Sequence, residues 1–358
     1  MKEEKMVDFQ PILNQFNLSG SCKVRPYGSG HINDTFMVDD GVSKRLLQRI
    51  NSHIFKQVPA LMDNILKVTN ALKTKAPELV SLELYTAKNG SAYVSDADGN
   101  FWRLLRFIPD SISYDRISDP KLAFEAGRVT GQFHRLLDGF EATTLFVTLP
   151  NFHHMGIRLQ RFFEAVKTDA QHRVHAIPEL VEFVQQRSFE YCLIDRLIDD
   201  GALPVRVVHN DPKINNILFN KADKGICMID LDTLMPGCLL HDFGDAIRTT
   251  ANNAEEDEPE TEKVSINLQL FEAYVKGFLS ETAAILKPKE IEYLAFSSQV
   301  LTFIIGLRFL TDYIEGDQYF NISFPKHNLQ RAKAQFALVQ SMENCSKTMK
   351  EVVMNYFR

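Results

Sequence analysis

The segment 209–216, with the sequence HNDPKINN, carries the clearest chemical pattern in the chain. Asp211 precedes Asn216 by five residues, and a second carboxylate, Asp230, follows an apolar run further along. Phosphoryl transfer requires one carboxylate to accept the proton of the attacking hydroxyl, and an amide and another carboxylate to hold Mg²⁺ against nucleotide phosphates. The pattern therefore predicts that Asp211 and Lys213 are catalytic and that Asn216 and Asp230 bind the metal. The H-x-D pair alone would indicate only a capped loop.

A second acidic motif, Asp242-Phe243-Gly244, has the letters of the metal-binding D-F-G of protein kinases. It follows no apolar strand, whereas Asp230 comes directly after one. We therefore assign the metal to Asp230. The run 241–245 is expected to brace the catalytic loop or to cap the start of a helix.

A glycine-containing hairpin precedes these motifs. A strand rather than a helix follows Gly28, Ser29 and Gly30, so this is not the dinucleotide-binding fingerprint. The glycines fit either a loop folded over nucleotide phosphates or an ordinary hairpin turn. His31 and Asp34 lie at the lip of this loop and are expected to face the acceptor substrate.

The next strand offers the cation that would contact the α- and β-phosphates. Arg49 is the predicted residue and Lys44 the alternative, while a basic strand at the surface is the competing interpretation. The helix that follows contains a single acid between residues 54 and 75, Asp63. Asp63 either pairs with Arg49 or the ion pair is absent.

Arg308 lies in the apolar segment 301–310, where a buried guanidinium needs a partner. Asp312 is available as an i,i+4 partner. The alternative is that Arg308 reaches an acceptor hydroxyl or carbonyl, with Tyr319 closing over the substrate. His153 and His154 have no metal-ligating partners at suitable spacing and are predicted to lie at the surface.

The elements that must position these residues predict an α+β chain with two lobes. Residues 1–109 read as a small antiparallel β lobe with one helix, and residues 110–358 as a larger, mostly helical lobe with a β-rich insert over 205–235. Six strand-like runs occur first, over 21–27, 34–39, 45–50, 82–86, 92–95 and 101–107. The periodicity predicts helices over 54–73, 119–137, 156–168, 178–199, 264–279, 288–314 and 327–354. Asp119 is the expected N-cap of the helix that begins at Pro120.

Composition narrows the class of protein. The chain has 358 residues, 45% hydrophobic and 24% charged, which excludes a disordered chain, and its net charge of −6 argues against a nucleic-acid binder. The five cysteines contain no C-x-x-C pair, and the first residues lack a signal-peptide pattern, so a cytoplasmic protein with reduced thiols is expected. The most apolar window, 300–310, is too short to cross a membrane. The acidic segment 255–262 is expected to be a solvated loop.

Several stretches together resemble the aminoglycoside phosphotransferase and choline kinase superfamily, and within it the N-acetylhexosamine 1-kinase group. They are YGSGHINDTF (27–36), LLQRIN (46–51), HNDPKINNILF (209–219), IDLDTLMPG (229–237), HDFGDAIRTTANNAEEDE (241–258) and RFLTDYIEGDQYF (308–320). The resemblance implies a two-lobed protein-kinase-like fold with nucleotide at Gly28, Ser29, Gly30 and Arg49. It also implies that the sugar-contacting residues are His31, Asp34, Arg308 and Tyr319. The family's usual Lys is replaced by Arg49, its helix Glu is missing, and Asn33 stands where a third glycine would be.

The activity that the resemblance implies is transfer of phosphate from ATP, with Mg²⁺, to the anomeric hydroxyl of N-acetylglucosamine or N-acetylgalactosamine. No nucleic-acid or membrane partner is expected, and the oligomeric state stays open. The alternatives are a kinase of choline, ethanolamine, an aminoglycoside or another sugar. A cationic acceptor would require an acidic pocket, so Arg308 in the pocket argues against choline, ethanolamine and aminoglycosides. A metal-dependent phosphohydrolase built on His209, Asp211, His241 and Asp242, and a catalytically silent binding module, are the other classes.

Overall fold

The computed structural model of the protein describes residues 8–18, 20–28 and 32–357. It confirms the α+β class, since a small antiparallel sheet with helices precedes a larger helical lobe. The strands of the first lobe are β1 (Lys23–Pro26), β2 (Asp34–Asp39), β3 (Lys44–Ile50), β4 (Val94–Ser95) and β5 (Phe101–Arg106). They pair in the order β1-β2-β3-β5-β4. The strand expected over 82–86 is reduced to one bridge between Leu84 and Leu105.

The two faces of this sheet have different neighbours. Side chains alternate between faces along a strand, so cross-strand partners share a face. Leu47 and Trp102 pack against helix α1 (Gln10–Gln15), which the sequence did not reveal. Arg103, next along β5, contacts Met62 of helix α2 (Val58–Lys75) on the opposite face. We call the face that packs against α1 the outer face, and the face that contacts α2 the inner face.

The second lobe begins where β6 (Ser111–Ile112) pairs with β8 (Ile217–Asn220). Strand β8 also pairs with β9 (Gly225–Met228), while β7 (Arg206–Val208) pairs with β10 (Met235–Gly237). These two short ribbons form the insert that the sequence predicted. The helices around them are α3 (Pro120–Leu136), α4 (Met155–Thr168), α5 (Pro178–Tyr191), α6 (Leu193–Asp199), α7 (Leu239–Thr250), α8 (Leu268–Thr282), α9 (Pro288–Glu315), α10 (His327–Asn344) and α11 (Ser346–Phe357).

Helix boundaries show what periodicity can and cannot define. The Asp119 carboxylate accepts a hydrogen bond from the Lys121 backbone N–H at 2.8 Å, which confirms the predicted cap of α3. The helices expected over 178–199 and 327–354 are each interrupted, at Cys192 and Cys345. The apolar spacing continues through both interruptions and therefore could not mark them.

Helix α9 forms the centre of the helical lobe. It is 28 residues long and apolar enough to cross a membrane by length and composition, so the apolar stretch extends beyond the window 300–310. In the structure it is almost entirely buried and contacts α4, α7, α10 and α11. Its composition therefore matches its position in the core.

Candidate active site

The catalytic loop runs from β7 to β8 and brings together the predicted residues that lie on it. The Lys213 ammonium lies 2.9 Å from Asp211 Oδ2. Asn216 Nδ2 donates to the Asp211 carbonyl oxygen at 2.8 Å and lies 3.2 Å from its Oδ2. Because the amide nitrogen is used within the loop, its oxygen is the atom of Asn216 that is left for a cation.

Asp230 follows β9 and joins the same group. Its backbone is left-handed, with a φ of 61°, which residues other than glycine adopt uncommonly. The preceding residue, Ile229, donates its N–H to the Asn216 carbonyl at 2.8 Å, which ties the end of β9 to the catalytic loop. Burial and the charges of Asp232 and Asp211 raise the pKa of Asp230 to about 6.

The group fits Mg²⁺ by its chemistry. Carboxylate and amide oxygens are the ligands that this cation prefers, and it commonly takes only one or two carboxylates with phosphates and water completing the set. The raised pKa of Asp230 reflects its burial and the charges of the neighbouring carboxylates, and a divalent cation bound there would offset both. In the part of the chain that the structure describes, no three His, Cys, Asp or Glu side chains form a closed metal site.

Lys213 supplies part of the positive charge. Burial by itself would lower its pKa, but the carboxylates of Asp211, Asp230 and Asp245 outweigh this and raise the pKa of Lys213. The ammonium therefore stays charged beside Asp211, where it can neutralise a transferred phosphate.

Asp242 braces the catalytic loop, as predicted. It is fully buried at the start of α7, and its two carboxylate oxygens accept the backbone N–H groups of His209 and Asn210 at 2.7 and 2.6 Å. His134 Nε2 lies 3.1 Å from the same carboxylate. Although burial would raise the pKa of Asp242, the donors of His134 and His209 lower it. Asp242 is thus committed to the backbone.

Gly244 explains why the D-F-G letters occur here. A Cβ at Gly244 would lie 2.4 Å from the carbonyl oxygen of Ser297 in α9, so only glycine allows the two helices to approach this closely. The close packing holds α7, and with it Asp242, under the catalytic loop.

The histidines around the loop are structural. His209 Nε2 lies 3.0 Å from the Ile229 carbonyl, and its Nδ1 accepts the Asp211 N–H at 3.3 Å, so both ring nitrogens have backbone partners. The structure therefore does not assemble His209, Asp211, His241 and Asp242 as a metal-ligand set.

The surface prediction for His153 was wrong, since it is buried and its Nε2 lies 2.9 Å from the Asn210 carbonyl. Burial lowers the pKa of His153 to about 4.

Strands β1 and β2, which flank the predicted glycine loop, are paired in the sheet, and Gly28 has a φ of 78°. Ser29, Gly30 and His31 lie outside the described residues, so their predicted roles stay predictions. Asn33, which the sequence marked only as a missing glycine, donates its Nδ2 to Asp232 Oδ2 at 2.6 Å. This bond ties the segment that follows the glycine loop to the turn that follows β9.

Arg49 and Asp34 were assigned to the nucleotide and the acceptor, and the structure pairs them with each other. Arg49 Nη2 lies 2.5 Å from Asp34 Oδ2, on the outer face beside Trp102. This is the face opposite to Arg103, whose partner Asp232 follows Asp230, so the structure does not bring Arg49 and Asp34 together with the candidate site. Asp63 pairs with Lys67 at 2.8 Å and not with Arg49. Lys44 lies at the exposed start of β3.

Arg103 is the inner-face cation that the sequence did not reveal. Its guanidinium pairs with Asp232, and its Nε donates to Gln48 Oε1 at 2.9 Å. The signal was present in the sequence FWRLLR, because an Arg between Trp102 and Leu104 must face the other side of the strand. What the sequence did not show is which side faces the catalytic loop.

Arg308 and Tyr319 both line one cleft, with 3.4 Å between Arg308 Nη2 and the Tyr319 hydroxyl. The guanidinium also lies 5.1 and 5.4 Å from the ring centres of Phe152 and Phe320. The Asp312 carboxylate instead accepts the backbone N–H groups of Gln318, Tyr319 and Phe320 and the side-chain amide of Asn328. Within the described residues, the i,i+4 pair of Arg308 and Asp312 is not formed.

The acidic segment 255–262 is only partly the solvated loop that was expected. Glu256 lies 2.8 Å from the buried Arg248, which also pairs with Asp245 at 2.8 Å. Asp257 lies 2.9 Å from His327 Nε2. The segment is docked on the helical lobe through these contacts, and the buried Arg248 there needs carboxylates.

Residues 23–274 match the family model described as "Phosphotransferase enzyme family". An aminoglycoside phosphotransferase from Alicyclobacillus acidocaldarius is similar with a TM-score of 0.66 at 12% identity, over 99% of this chain and 98% of that one. A microcompartment-associated aminopropanol kinase gives 0.60 at 14% identity, over 95% and 97%. A spectinomycin phosphotransferase in complex with ADP and spectinomycin gives 0.50 at 11%, over 90% and 93%. These likenesses confirm the kinase-like fold.

Proposed function

Because the chain belongs to the phosphotransferase enzyme family, we propose that it transfers phosphate from ATP to the anomeric hydroxyl of an N-acetylhexosamine. The observation that carries the choice of acceptor is Arg308. It lines the cleft that we take as the acceptor site, the acceptor cleft, and it has no carboxylate partner among the described residues. Aminopropanol and aminoglycosides carry amines, which are cationic at neutral pH, and a free guanidinium repels a cation. A neutral sugar can instead accept hydrogen bonds from it through hydroxyl or acetamide oxygens.

Asp211 is the proposed base. Its carboxylate accepts the proton of the anomeric hydroxyl as that oxygen bonds to the γ-phosphorus, and the bond from this phosphorus to the bridging oxygen of ADP breaks. Lys213, 2.9 Å from Asp211, neutralises charge on the transferred group. The products are ADP and the hexosamine 1-phosphate.

Asn216 and Asp230 are the proposed ligands of Mg²⁺, which when bound would neutralise charge on the nucleotide phosphates. Asp242 and Asn33 act on the backbone and on Asp232, and so hold the catalytic loop and the hairpin in place. The bond from Asn33 to Asp232 joins the hairpin to the turn after β9, and this supports the predicted contact of Gly28 and its neighbours with phosphate.

The test is to compare the wild type with Asp211→Asn and with Asp200→Asn, an exposed acid at the end of α6, as a matched control. Each protein is given Mg-ATP and N-acetylglucosamine, N-acetylgalactosamine, glucose, choline or ethanolamine, and ADP release is measured. We expect turnover with the N-acetylhexosamines, lowered at least ~100-fold in Asp211→Asn and unchanged in Asp200→Asn.

The position of the phosphate is checked independently. Phosphorylation of the anomeric hydroxyl removes the reducing end, so the loss of reducing sugar should match the ADP formed. Full reducing power in the product would show that another hydroxyl is phosphorylated, and turnover of choline or ethanolamine alone would overturn the proposed acceptor.

A further inference from the structure

Arg158, on α4, is a cation of the acceptor cleft that no sequence motif marked. Its side chain is partly buried, and its Nη2 donates to the Phe152 carbonyl at 2.8 Å. Its Nε is buried without a hydrogen-bond partner in the described part of the chain. Burial and the nearby charge of Arg308 lower the pKa of Arg158 to about 10, so the guanidinium is still charged at neutral pH.

Arg308 lines the same cleft and is in a similar state. Its polar contact is the neutral hydroxyl of Tyr319, and its other close neighbours are aromatic rings. Burial lowers its pKa as well. For residues 8–18, 20–28 and 32–357, neither Arg158 nor Arg308 has a carboxylate oxygen within 4.0 Å.

The two acids that line the cleft, Glu315 and Asp312, do not contact either arginine, because each already has other hydrogen-bond or ion-pair partners. Glu315 forms a two-pronged pair with a third arginine, Arg161, at 3.1 and 2.6 Å. Both carboxylate oxygens of Asp312 accept N–H groups from the segment that follows α9 and from Asn328. The lining of the cleft therefore has an excess of positive charge at Arg158 and Arg308.

Two neighbouring cations that have no carboxylate in direct contact carry a desolvation cost that oxygen atoms of a ligand would offset; for Arg308, the charges of Asp245 and Asp211 act only from a greater distance. A guanidinium presents several N–H donors in one plane and suits carboxylate, phosphate and carbonyl oxygens. An ammonium group offers no acceptor and adds repulsion from both sides.

We propose that Arg158 and Arg308 form a charge-selecting pair, and that Arg158 is the specificity-determining residue that makes the enzyme prefer acceptors with an anionic or oxygen-rich group and reject ammonium. The inference rests on the proposed function in one respect, since it takes this cleft as the acceptor site. It goes further by assigning a residue and a rule for the charge of the acceptor.

The main experiment compares kcat/KM for N-acetylglucosamine and glucosamine, which share a ring and differ by a neutral acetamide or an ammonium. We expect the wild type to prefer the neutral sugar by at least about tenfold and Arg158→Met to reduce that ratio by about tenfold. Arg158→Lys, which keeps the charge, should retain most of the preference.

The control is R161M combined with E315M, which alters the same cleft without changing its net charge and should leave the ratio unchanged. A ratio that is the same in the wild type and Arg158→Met would overturn the proposal.

A second measurement keeps the inference separate from the choice of sugar. The thermal unfolding of the full chain, saturated with Mg-ADP so that the nucleotide site is filled, is followed with added sodium sulfate or with sodium chloride at equal ionic strength. Sulfate should raise the Tm of the wild type more than chloride does, and this difference should be smaller in Arg158→Met, where only the general stabilising effect of sulfate on folded proteins is left. A sulfate-minus-chloride difference in Tm that is the same in the wild type and in Arg158→Met would overturn an anion-binding pair. Sulfate binding without any turnover of N-acetylhexosamines would overturn the proposed acceptor and leave the pair standing.

Discussion

Arg103 and Asp232 form an ion pair between the two lobes, and each side chain is only 3% exposed. Arg103 lies on β5 of the sheet, and Asp232 lies in the turn that follows β9, two residues after Asp230. The other carboxylate oxygen of Asp232 accepts a hydrogen bond from Asn33 in the hairpin. One carboxylate therefore connects the sheet, the hairpin and the segment that would hold the metal.

Replacing Arg103 should destabilise the protein far more than replacing Arg49. Arg103→Met leaves the buried Asp232 without its cation, and we expect the free energy of unfolding to fall by about 3–5 kcal/mol. Arg49→Met removes a pair whose side chains are 39% and 53% exposed, which should cost less than about 1 kcal/mol. Urea unfolding of both variants measures the difference. The KM for ATP of Arg49→Met should stay close to that of the wild type, and a large increase would support a phosphate role for Arg49.

Asp230→Asn and Asp242→Asn should both lose activity, but only Asp242→Asn should lose stability. Asp242→Asn puts an amide where two backbone N–H groups need acceptors, and we expect a loss of about 3 kcal/mol. Asp230→Asn removes a carboxylate whose charged form is disfavoured, so the Tm without Mg²⁺ should be equal or higher. Differential scanning calorimetry and ADP release together test this. Unfolding of Asp230→Asn with a stable Asp242→Asn would reverse the two assignments.

The pH dependence of stability gives a further check on Asp230. Burial and the neighbouring carboxylates raise its pKa from 3.8 to about 6, so between these values the folded chain binds a proton that the unfolded chain has released. The free energy of unfolding without Mg²⁺ should therefore decrease as the pH rises from about 4 to about 6. Asp230→Asn should lack this component, which urea titrations at several pH values can show. An identical pH profile in the variant would contradict the raised pKa.

The catalytic loop could be predicted from sequence because its chemistry is local. Asp211, Lys213 and Asn216 lie within six residues of one another, so a single tight loop is enough to bring them together. The bracing role of Asp242 also followed from sequence, since Asp230 already occupied the position behind an apolar strand.

Residues whose partners are distant in sequence could not be placed in this way. Alternation along β3 shows that Gln48 and Arg49 face opposite sides, but not which side faces the second lobe. The pairing of Arg103 with Asp232 spans 129 positions, and that of Arg49 with Asp34 depends on strand register. His153 was misplaced for the same reason, because its burial depends on the distant catalytic loop.

The docking of the acidic segment 255–262 predicts that its members contribute unequally to stability. Glu256→Gln weakens the interaction with the buried Arg248, and we expect a loss of about 1 kcal/mol, because Asp245 still pairs with that guanidinium. Glu260→Gln alters a pair with Lys263 whose side chains are both exposed, and it should have no measurable effect. Thermal unfolding of the two variants distinguishes them. Equal Tm values would show that the whole segment is solvated.

Asp312→Asn should impair acceptor binding through the segment that carries Tyr319. The Asp312 carboxylate accepts the backbone N–H groups of Gln318, Tyr319 and Phe320 at 2.8–2.9 Å, and an amide cannot accept at both positions. We expect the segment to loosen, so that the aromatic rings no longer line the cleft beside Arg308. The KM for the acceptor should rise about tenfold while the KM for ATP changes little.

Tyr319→Phe is the matched variant for that experiment, because it keeps the ring and the segment. It removes only the hydroxyl that lies 3.4 Å from Arg308 Nη2, so the KM for the acceptor should change less than about threefold. Steady-state kinetics with varied acceptor at saturating Mg-ATP measure both effects, and circular dichroism checks that both proteins are folded. If Tyr319→Phe were as impaired as Asp312→Asn, the hydroxyl itself would bind the acceptor. An unchanged KM in Asp312→Asn would show that the order of the segment after α9 does not limit acceptor binding.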